Sequence, residues 1–302
     1  MGGRVRTLAA AALALFLSGG SAAAEAAEPP VAMAASHIVA PGENLEDIAR
    51  ANDLGFVEVM AANPGVDPWL PAPGTRLILP TVHLPPQPLR PGLTANLGDM
   101  RLYWLRAPGA EPLSFPMGIG REGWSLRSVT TRVVGKRVHP TWTPPHSIRA
   151  EKPWLPAVVP PGPDNPLGDY SLDLGLGLIR IHGTNLPDGV GRRTSHGCLR
   201  LYPEDIAHLF PQVGAGTRVT IIDQPAKLAW IGGALWLQIN PDQGQADAVE
   251  DRKPMPIRPV AGLREQVIAA AGPAADRVDW AEVEWAERHR PAIPIRITPP
   301  AK

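Results

Sequence analysis

One segment, IHGTNLPDGVGRRTSHGCLR (residues 181–200), sets both the expected chemistry and much of the expected fold. It holds two histidines and Cys198, the only cysteine of the 302 residues. A cysteine attacks as its thiolate, and a nearby imidazole can accept the thiol proton and stabilise the resulting ion pair. His196 lies two residues before Cys198, so both side chains point the same way in an extended segment. His182 ends a predicted strand, and a glycine-containing loop leads back toward Cys198.

Composition limits the classes of partner. The chain has 29 basic and 29 acidic residues, so its formal net charge is zero. Nucleic-acid binding would need a basic excess, and none is evident. With one cysteine the chain cannot form an internal disulfide, so the alternatives are a reactive thiol and a small buried hydrophobe. The 37 prolines cluster, which predicts long ordered loops and linkers.

The first 26 residues resemble an export signal. Arg4 and Arg6 precede the apolar run Leu8–Leu17, and small residues follow it. Because this run is too short to cross a bilayer, we predict a cleaved signal peptide (residues 1–26), no membrane span in the mature protein, and a periplasmic location. The alternative is an uncleaved anchor helix.

Residues 37–80 predict a strand, two helices and a closing strand. Asn44 is the predicted N-cap of the first helix, Gly55 separates the helices, and Arg76–Leu79 forms the second strand. The stretches PGENL, IARAN and ANPGVDPWLPAPGTRLILP resemble a LysM module, a family that binds the N-acetylglucosamine backbone of peptidoglycan or chitin. The resemblance implies that glycan strands are a partner. The alternative is a small packing domain without a ligand.

Short strands with Gly/Pro turns dominate residues 92–223, which predicts a mainly β domain built as a sandwich or barrel. The predicted strands are residues 93–97, 100–105, 113–119, 129–134, 170–174, 178–182 and 218–222, and the main helix is 203–210. The insertion 140–167 is long for a loop and is predicted to be a lid. Residues 224–302 predict a small α+β extension with a strand at 235–239 and helices at 263–271 and 280–288.

Four separated segments resemble an L,D-transpeptidase catalytic domain of the YkuD type. HGT and SHGCLR, with sixteen residues from His182 to Cys198, are similar to the catalytic motif. HPTWTPP (139–145) and LPAVVPPGPDNPLG (155–168) are similar to the matching stretches of the ErfK/YbiS/YcfS/YnhG group, and the tail resembles that group's extension.

This resemblance implies a role for each residue of the motif. Cys198 is the expected nucleophile, and His182 is the expected general base, oriented by a backbone carbonyl near Gly183 or Thr184. We place Gly183 and Thr184 in the expected substrate-binding and oxyanion set.

The residues around the cysteine complete the expected site. Ser195 and His196 are expected to shape the pocket, and His196 to share in proton transfer. Arg200 is expected to contact a substrate carboxylate, because its planar guanidinium suits bidentate pairing. From the residues themselves, the N–H groups of Gly197 and Cys198 are candidate oxyanion donors.

One stretch departs from the family pattern. The family usually has a T-P-x-G turn before a threonine-rich strand, whereas this chain has SLRSVTT (125–131). We expect a reshaped loop there, with altered substrate contacts.

The implied reaction is cysteine acyl transfer on peptidoglycan stem peptides. Cys198 would attack a tetrapeptide at its third residue and release D-Ala, and an amine would resolve the thioester. The acceptor stays open between another stem, which gives a 3-3 cross-link, and a lysine of an outer-membrane lipoprotein. No metal or organic cofactor is implied.

The same residues leave other interpretations open. His182, His196 and Cys198 could be zinc ligands, or structural residues of an inactive site. The chain could be a non-catalytic LysM protein that only binds peptidoglycan. It could also be a cysteine peptidoglycan hydrolase, although in NlpC-type endopeptidases the cysteine precedes the histidine.

Overall fold

The computed structural model describes residues 32–300. The predicted signal peptide therefore lies outside the described residues. Within that range, none of the helices combines the length and apolar character needed to cross a membrane.

The N-terminal unit has the predicted order of strand, helix, helix and strand. Its elements are β1 (Ala35–Ile38), α1 (Leu45–Ala51), α2 (Phe56–Ala62) and β2 (Arg76–Leu79). β1 pairs with β2 in antiparallel orientation. The side chain of Asn44 accepts a hydrogen bond from the N–H of Asp47 at 2.8 Å, so the predicted N-cap is confirmed. A small apolar cluster that includes Leu45, Ile48 and Leu77 forms beneath the helices.

A mixed sheet of eight strands forms the centre of the molecule. Its order is β11-β9-β8-β7-β12-β3-β4-β5. The strands of this region, including the separate pair β6 and β10, are β3 (Gly92–Asn96), β4 (Arg101–Leu105), β5 (Leu113–Pro116), β6 (Ile119–Gly120), β7 (Val129–Val138), β8 (Tyr170–Leu174), β9 (Arg180–His182), β10 (Arg193–Ser195), β11 (Leu199–Arg200) and β12 (Arg218–Ile222). Two helices accompany them, α3 (His146–Glu151) and α4 (Pro203–Leu209).

The two ends of this sheet meet. Gly118, just beyond β5, exchanges backbone hydrogen bonds with Arg200 of β11 at 2.8 and 2.9 Å. The contact is close, because a Cβ built on Gly118 would lie 2.2 Å from the carbonyl oxygen of Gly189. The predicted barrel-like character is therefore present, since the eight strands belong to one sheet whose ends meet.

The prediction of strand bounds was correct for strands with a regular pattern of buried residues. β8 and β12 have the predicted bounds. The predicted strand 113–119 is interrupted and forms β5 and β6, and the predicted strand 129–134 continues to Val138. The short strands β10 and β11, which flank the cysteine, were not predicted.

The C-terminal extension is α+β, as predicted. It contains β13 (Ala226–Ile231), β14 (Ala234–Ile239), α5 (Gln243–Glu250), α6 (Leu263–Ala271), α7 (Trp280–His289) and β15 (Pro294–Arg296). The three strands form one antiparallel sheet with β14 in the middle.

Buried ion pairs connect the three parts of the chain. Glu58 of α2 accepts a hydrogen bond from Arg101 of β4 at 2.7 Å. Lys227 of β13 donates to Asp99 at 2.5 Å, and both side chains are fully buried. Val57 of α2 also packs into the central core. Because breaking a buried pair leaves an uncompensated charge, these contacts hold the N-terminal unit and the extension on the central sheet.

Candidate active site

The cysteine and the first histidine are positioned by two paired strands. β9 and β11 are parallel neighbours, with Ile181 opposite Leu199 and His182 opposite Arg200. Cys198 immediately precedes β11 and continues this register. Because side chains alternate along a strand, Cys198 and His182 extend to the same face of the sheet. Both line one cavity of about 350 Å³.

His182 is buried and oriented by a main-chain contact. Its Nδ1 lies 2.5 Å from the carbonyl oxygen of Gly183, so Nδ1 carries the proton and donates to that oxygen. Burial, helped by the positive charge of Arg200, lowers the pKa of His182 to about 3. The imidazole is therefore neutral near pH 7, and its Nε2 keeps a free lone pair that can accept a proton.

Cys198 is held as a neutral thiol. Its Sγ lies 3.6 Å from the carbonyl oxygen of Leu178. Burial raises the pKa of Cys198, and the N–H and charge of Arg180 only partly oppose this effect. The sequence indicates an imidazole that can accept the thiol proton, and it does not indicate the charge state at rest. The structure favours neutral partners at rest, because burial disfavours both charged forms.

Ser195 organises the backbone around the cysteine. Its Oγ donates to the carbonyl oxygen of Cys198 at 2.6 Å and accepts from the N–H of Gly197 at 3.1 Å. The predicted oxyanion role of the Gly197 N–H therefore competes with an internal bond. Gly197 has a φ of 96°, a conformation that favours glycine.

His196 points to a charged pair. Its Nε2 is 2.9 Å from Glu151 and 3.0 Å from Arg121, and Arg121 donates to Glu151 at 2.7 Å. Trp124 contacts the imidazole edge-on, with ring centroids 5.0 Å apart. His196 thus lines the cavity while its polar contact joins it to α3.

Of the other predicted site residues, one lines the cavity and two do not. Arg200 lines the cavity and donates to Thr194 Oγ1 at 3.3 Å. Gly183 and Thr184 are absent from the residues that line the cavity within the described range. Gly183 instead fixes His182, and Thr184 Oγ1 accepts a bond from the N–H of Leu186 at 2.9 Å.

The insertion 140–167 covers the cavity. Trp142 lines the cavity and forms a β-bridge with Val159, and α3 contributes Ile148. Trp154, by contrast, is 75% exposed. The insertion therefore contributes apolar side chains to the wall of the cavity that holds the thiol.

The stretch that departs from the family pattern is tied to the extension. Ser125 Oγ donates to Gln243 of α5 at 2.8 Å and accepts from Arg193 at 3.1 Å. Ser125 and Leu126 line the cavity, so the expected reshaped loop does face the site.

Three charged residues at the site were missed from the sequence. Glu151 and Arg121 bind His196, and the N–H of Arg180 donates to Cys198. Arg180 directly precedes the IHGT motif, so the strand register could have indicated it. No comparable signal links Glu151 to His196, which lie 45 residues apart.

A zinc site is not formed by the described side chains. Across residues 32–300, no three His, Cys, Asp or Glu side chains are placed to hold a metal ion. Nδ1 of His182 and Nε2 of His196 are already engaged by Gly183 and Glu151.

Comparison with known proteins shows the family of this chain. The family of L,D-transpeptidase catalytic domains (YkuD) matches residues 90–221. The probable L,D-transpeptidase ErfK/SrfK of Escherichia coli K12 is 38% identical over 263 residues, covering 84% of this chain and 82% of the relative. The chain belongs to the L,D-transpeptidase family.

Two further relatives of this transpeptidase come from the same strain. The probable L,D-transpeptidase YbiS is 38% identical over 84% of this chain and 83% of its own length. The probable L,D-transpeptidase YcfS is 43% identical over 62% of this chain and 61% of its own length. This enzyme is a cell-wall L,D-transpeptidase.

Proposed function

We propose that Cys198 is the nucleophile of this transpeptidase and His182 its general base. The observation that supports this most directly is their placement on one face of paired strands, in one cavity, with Nδ1 of His182 held by Gly183. This leaves Nε2 as the proton acceptor.

The reaction proceeds in two halves. Sγ bonds to the carbonyl carbon of the third residue of a tetrapeptide stem, meso-diaminopimelate, while the thiol proton passes to Nε2 of His182. The peptide bond to D-Ala then breaks, and its nitrogen takes that proton. An acceptor amine next attacks the thioester, the C–S bond breaks, and the proton of the amine returns through His182 to Sγ.

The neutral resting pair determines when the proton moves. Because burial disfavours both charged forms, proton transfer accompanies attack rather than preceding it. The N–H of Cys198 is the proposed oxyanion donor, and the N–H of Gly197 joins it when its bond to Ser195 Oγ opens.

The remaining proposals concern the partners of the enzyme and its location. We propose that the N-terminal unit is a LysM module for glycan strands, that the first 26 residues direct export, and that the enzyme acts in the periplasm. The β-α-α-β order supports the module. The acceptor is a second stem or a lipoprotein lysine, and water would give hydrolysis as a side reaction.

Cys198→Ser tests the catalytic assignment. D-Ala release and product formation from a tetrapeptide stem are followed by mass spectrometry, and intact mass is measured after carbapenem treatment. We expect an adduct on the wild type only, and a rate that falls by several orders of magnitude in the variant. Undiminished D-Ala release by Cys198→Ser would refute the assignment. The acyl product distinguishes a 3-3 cross-link from a lipoprotein adduct.

The test of glycan binding uses the full chain, because Glu58 is paired with Arg101 outside the N-terminal unit. Full-length Cys198→Ser should sediment with glycan strands from which an amidase has removed the stem peptides. A folded protein that stays in the supernatant would contradict the LysM assignment.

A further inference from the structure

A second cavity adjoins the active-site cavity, and arginines line it. Its volume is about 360 Å³, and its lining includes Arg137, Arg149 and Arg180. We call it the arginine cavity. Five residues belong to the lining of both cavities: Trp142, Pro145, Leu167, Leu178 and Arg180. A molecule that reaches Cys198 can therefore extend directly into the arginine cavity.

The arginine cavity has a net positive charge. Asp173 accepts hydrogen bonds from Nε of both Arg137 and Arg180 at 2.7 Å, so one carboxylate is shared by two guanidinium groups. Within residues 32–300, no acidic side chain forms a salt bridge with Arg149. This local excess contrasts with the balanced charge of the whole chain.

The geometry leaves donors available for a ligand. Arg137 and Arg180 use Nε to hold Asp173 of β8, and this contact fixes both side chains on the two strands, β7 and β9, that flank β8. Arg149 lies on α3, two residues before Glu151. Residues two apart on a helix are rotated by about 200°, which is consistent with Arg149 lining this cavity while Glu151 binds His196 on the other side.

We propose that the arginine cavity binds the free carboxylates of the donor stem peptide and so selects stems that are not amidated. This inference rests on the proposed function. A guanidinium group pairs well with a carboxylate. The cavity around Cys198 offers Arg180 and Arg200, and the arginine cavity adds Arg137 and Arg149 as partners for the charged flanks of the stem.

Charge also assigns the arginine cavity to the donor rather than the acceptor. The acceptor approaches as an amine, which is protonated in solution and would be repelled by three arginines. A donor stem carries carboxylates beside the reacting carbonyl. Arg200, which lines the active-site cavity from β11, is not among the residues that line the arginine cavity.

The test compares two synthetic donors. One is a tetrapeptide stem with free carboxylates on its second and third residues, and the other carries carboxamides at those positions. D-Ala release gives kcat and KM for the wild type, Arg137→Gln, Arg149→Gln and the double variant. Arg149→Lys keeps the charge, and Arg106→Gln removes a charge outside the arginine cavity.

We expect the wild type to prefer the free carboxylates through a lower KM. Each glutamine variant should lose about two- to fivefold of that preference, and the double variant should lose nearly all of it, while kcat stays within about twofold. Arg149→Lys should retain much of the preference, and Arg106→Gln all of it.

Two other outcomes would count against different claims, the inference about the arginine cavity and the proposed function. A wild type that does not discriminate between the donors, or variants that weaken both donors equally, would overturn the inference. Absence of D-Ala release from either donor by the wild type would instead count against the proposed function.

Discussion

The sheet side and the loop side of the active-site cavity are held by different kinds of contact. On the sheet side, paired strands place Cys198 and His182, and the backbone bonds between Gly118 and Arg200 join the ends of the sheet. On the loop side, α3 spans only His146–Glu151 and buries none of its residues. The difference indicates that the reacting groups are fixed by the backbone network, whereas the cover depends on a few side-chain contacts.

The cover nevertheless has two defined attachments. Trp142 and Val159 exchange backbone bonds at 2.9 and 2.8 Å, and Asn165 donates to the carbonyl oxygen of Pro140 at 2.7 Å. These bonds close the insertion on itself. The hydrogen bonds of Glu151 with His196 and Arg121 join α3 to the residues beside the cysteine. Changes on the sheet side should therefore abolish chemistry or folding, and changes at Glu151 should adjust the rate.

The largest expected effect is that of His182→Gln. Glutamine retains polar character at a buried site but cannot accept and return a proton as imidazole does. We expect the rate of D-Ala release to fall by about 10²–10⁴-fold, the usual contribution of a general base. The measurement is single-turnover release from a tetrapeptide stem. His208→Gln, on the exposed surface of α4, is the control and should leave the rate unchanged. A loss below tenfold in folded His182→Gln would remove His182 from the mechanism.

The second test breaks the junction of the sheet ends. In Gly118→Ala, the new methyl group would meet the carbonyl oxygen of Gly189 at 2.2 Å, and backbone cannot retreat as a flexible side chain can. We expect the free energy of unfolding to fall by about 2 kcal/mol or more. Denaturant unfolding measures it. Gly214→Ala serves as a control because nothing lies within 4 Å of its Cβ position. Equal stability of the two variants would show that the junction accommodates a side chain freely.

The sequence predicted the sheet side better than the loop side. In β8 and β12 the apolar residues alternate with polar ones or follow one another, and the bounds of both strands were predicted correctly. The pattern in β10 and β11 is too short to predict a strand. Their conformation depends on partners distant in sequence, since β10 pairs with β6 and β11 with β9.

The sequence indicated the residues of the motif but not their charge state. Spacing placed His182 and Cys198 together as an expectation, because a strand and a returning loop connect them. Their neutral resting forms depend on burial, which appears only when the insertion and the sheet enclose the site. The contact of His196 with Glu151 likewise depends on how a proline-rich loop folds back.

The third prediction concerns pH. A histidine of ordinary pKa, 6.5, would be about 90% protonated at pH 5.5, and the reaction would slow about tenfold. Because the folded pKa of His182 is lowered to about 3, its base form persists below pH 6.5. We expect the rate of D-Ala release at pH 5.5 to stay within about twofold of its value at pH 7. Following only this half of the reaction removes the titration of the acceptor amine.

Acid unfolding must be separated from this effect. A group whose folded pKa is depressed stabilises the fold above its unfolded pKa, and that contribution is lost as pH falls from 6.5 toward 3. Circular dichroism at each pH therefore accompanies the kinetics. An acid limb centred near 6.5 in fully folded enzyme would contradict a buried, neutral His182.

Among the substitutions that test this comparison, the smallest expected effect is that of Glu151→Gln, which acts on the loop side. The carboxylate of Glu151 is a shared acceptor for His196 and Arg121, and hydrogen bonding to His196 lowers the pKa of Glu151. Glutamine keeps the shape but removes the charge that joins α3 to the sheet. Since both charged partners are substantially exposed, water and salt screen the contact. We expect kcat/KM for the stem peptide to change by about two- to fivefold, without a measurable change in thermal stability.

Glu111→Gln, in an exposed turn between β4 and β5, is the matched control. As ionic strength rises, kcat/KM of the wild type should approach that of Glu151→Gln. The reason is that salt weakens the contacts of the Glu151 carboxylate with the His196 imidazole and the Arg121 guanidinium group. A loss as large as that of His182→Gln would show that Glu151 takes part in the chemistry, and the division between a fixed sheet side and an adjustable cover would then fail.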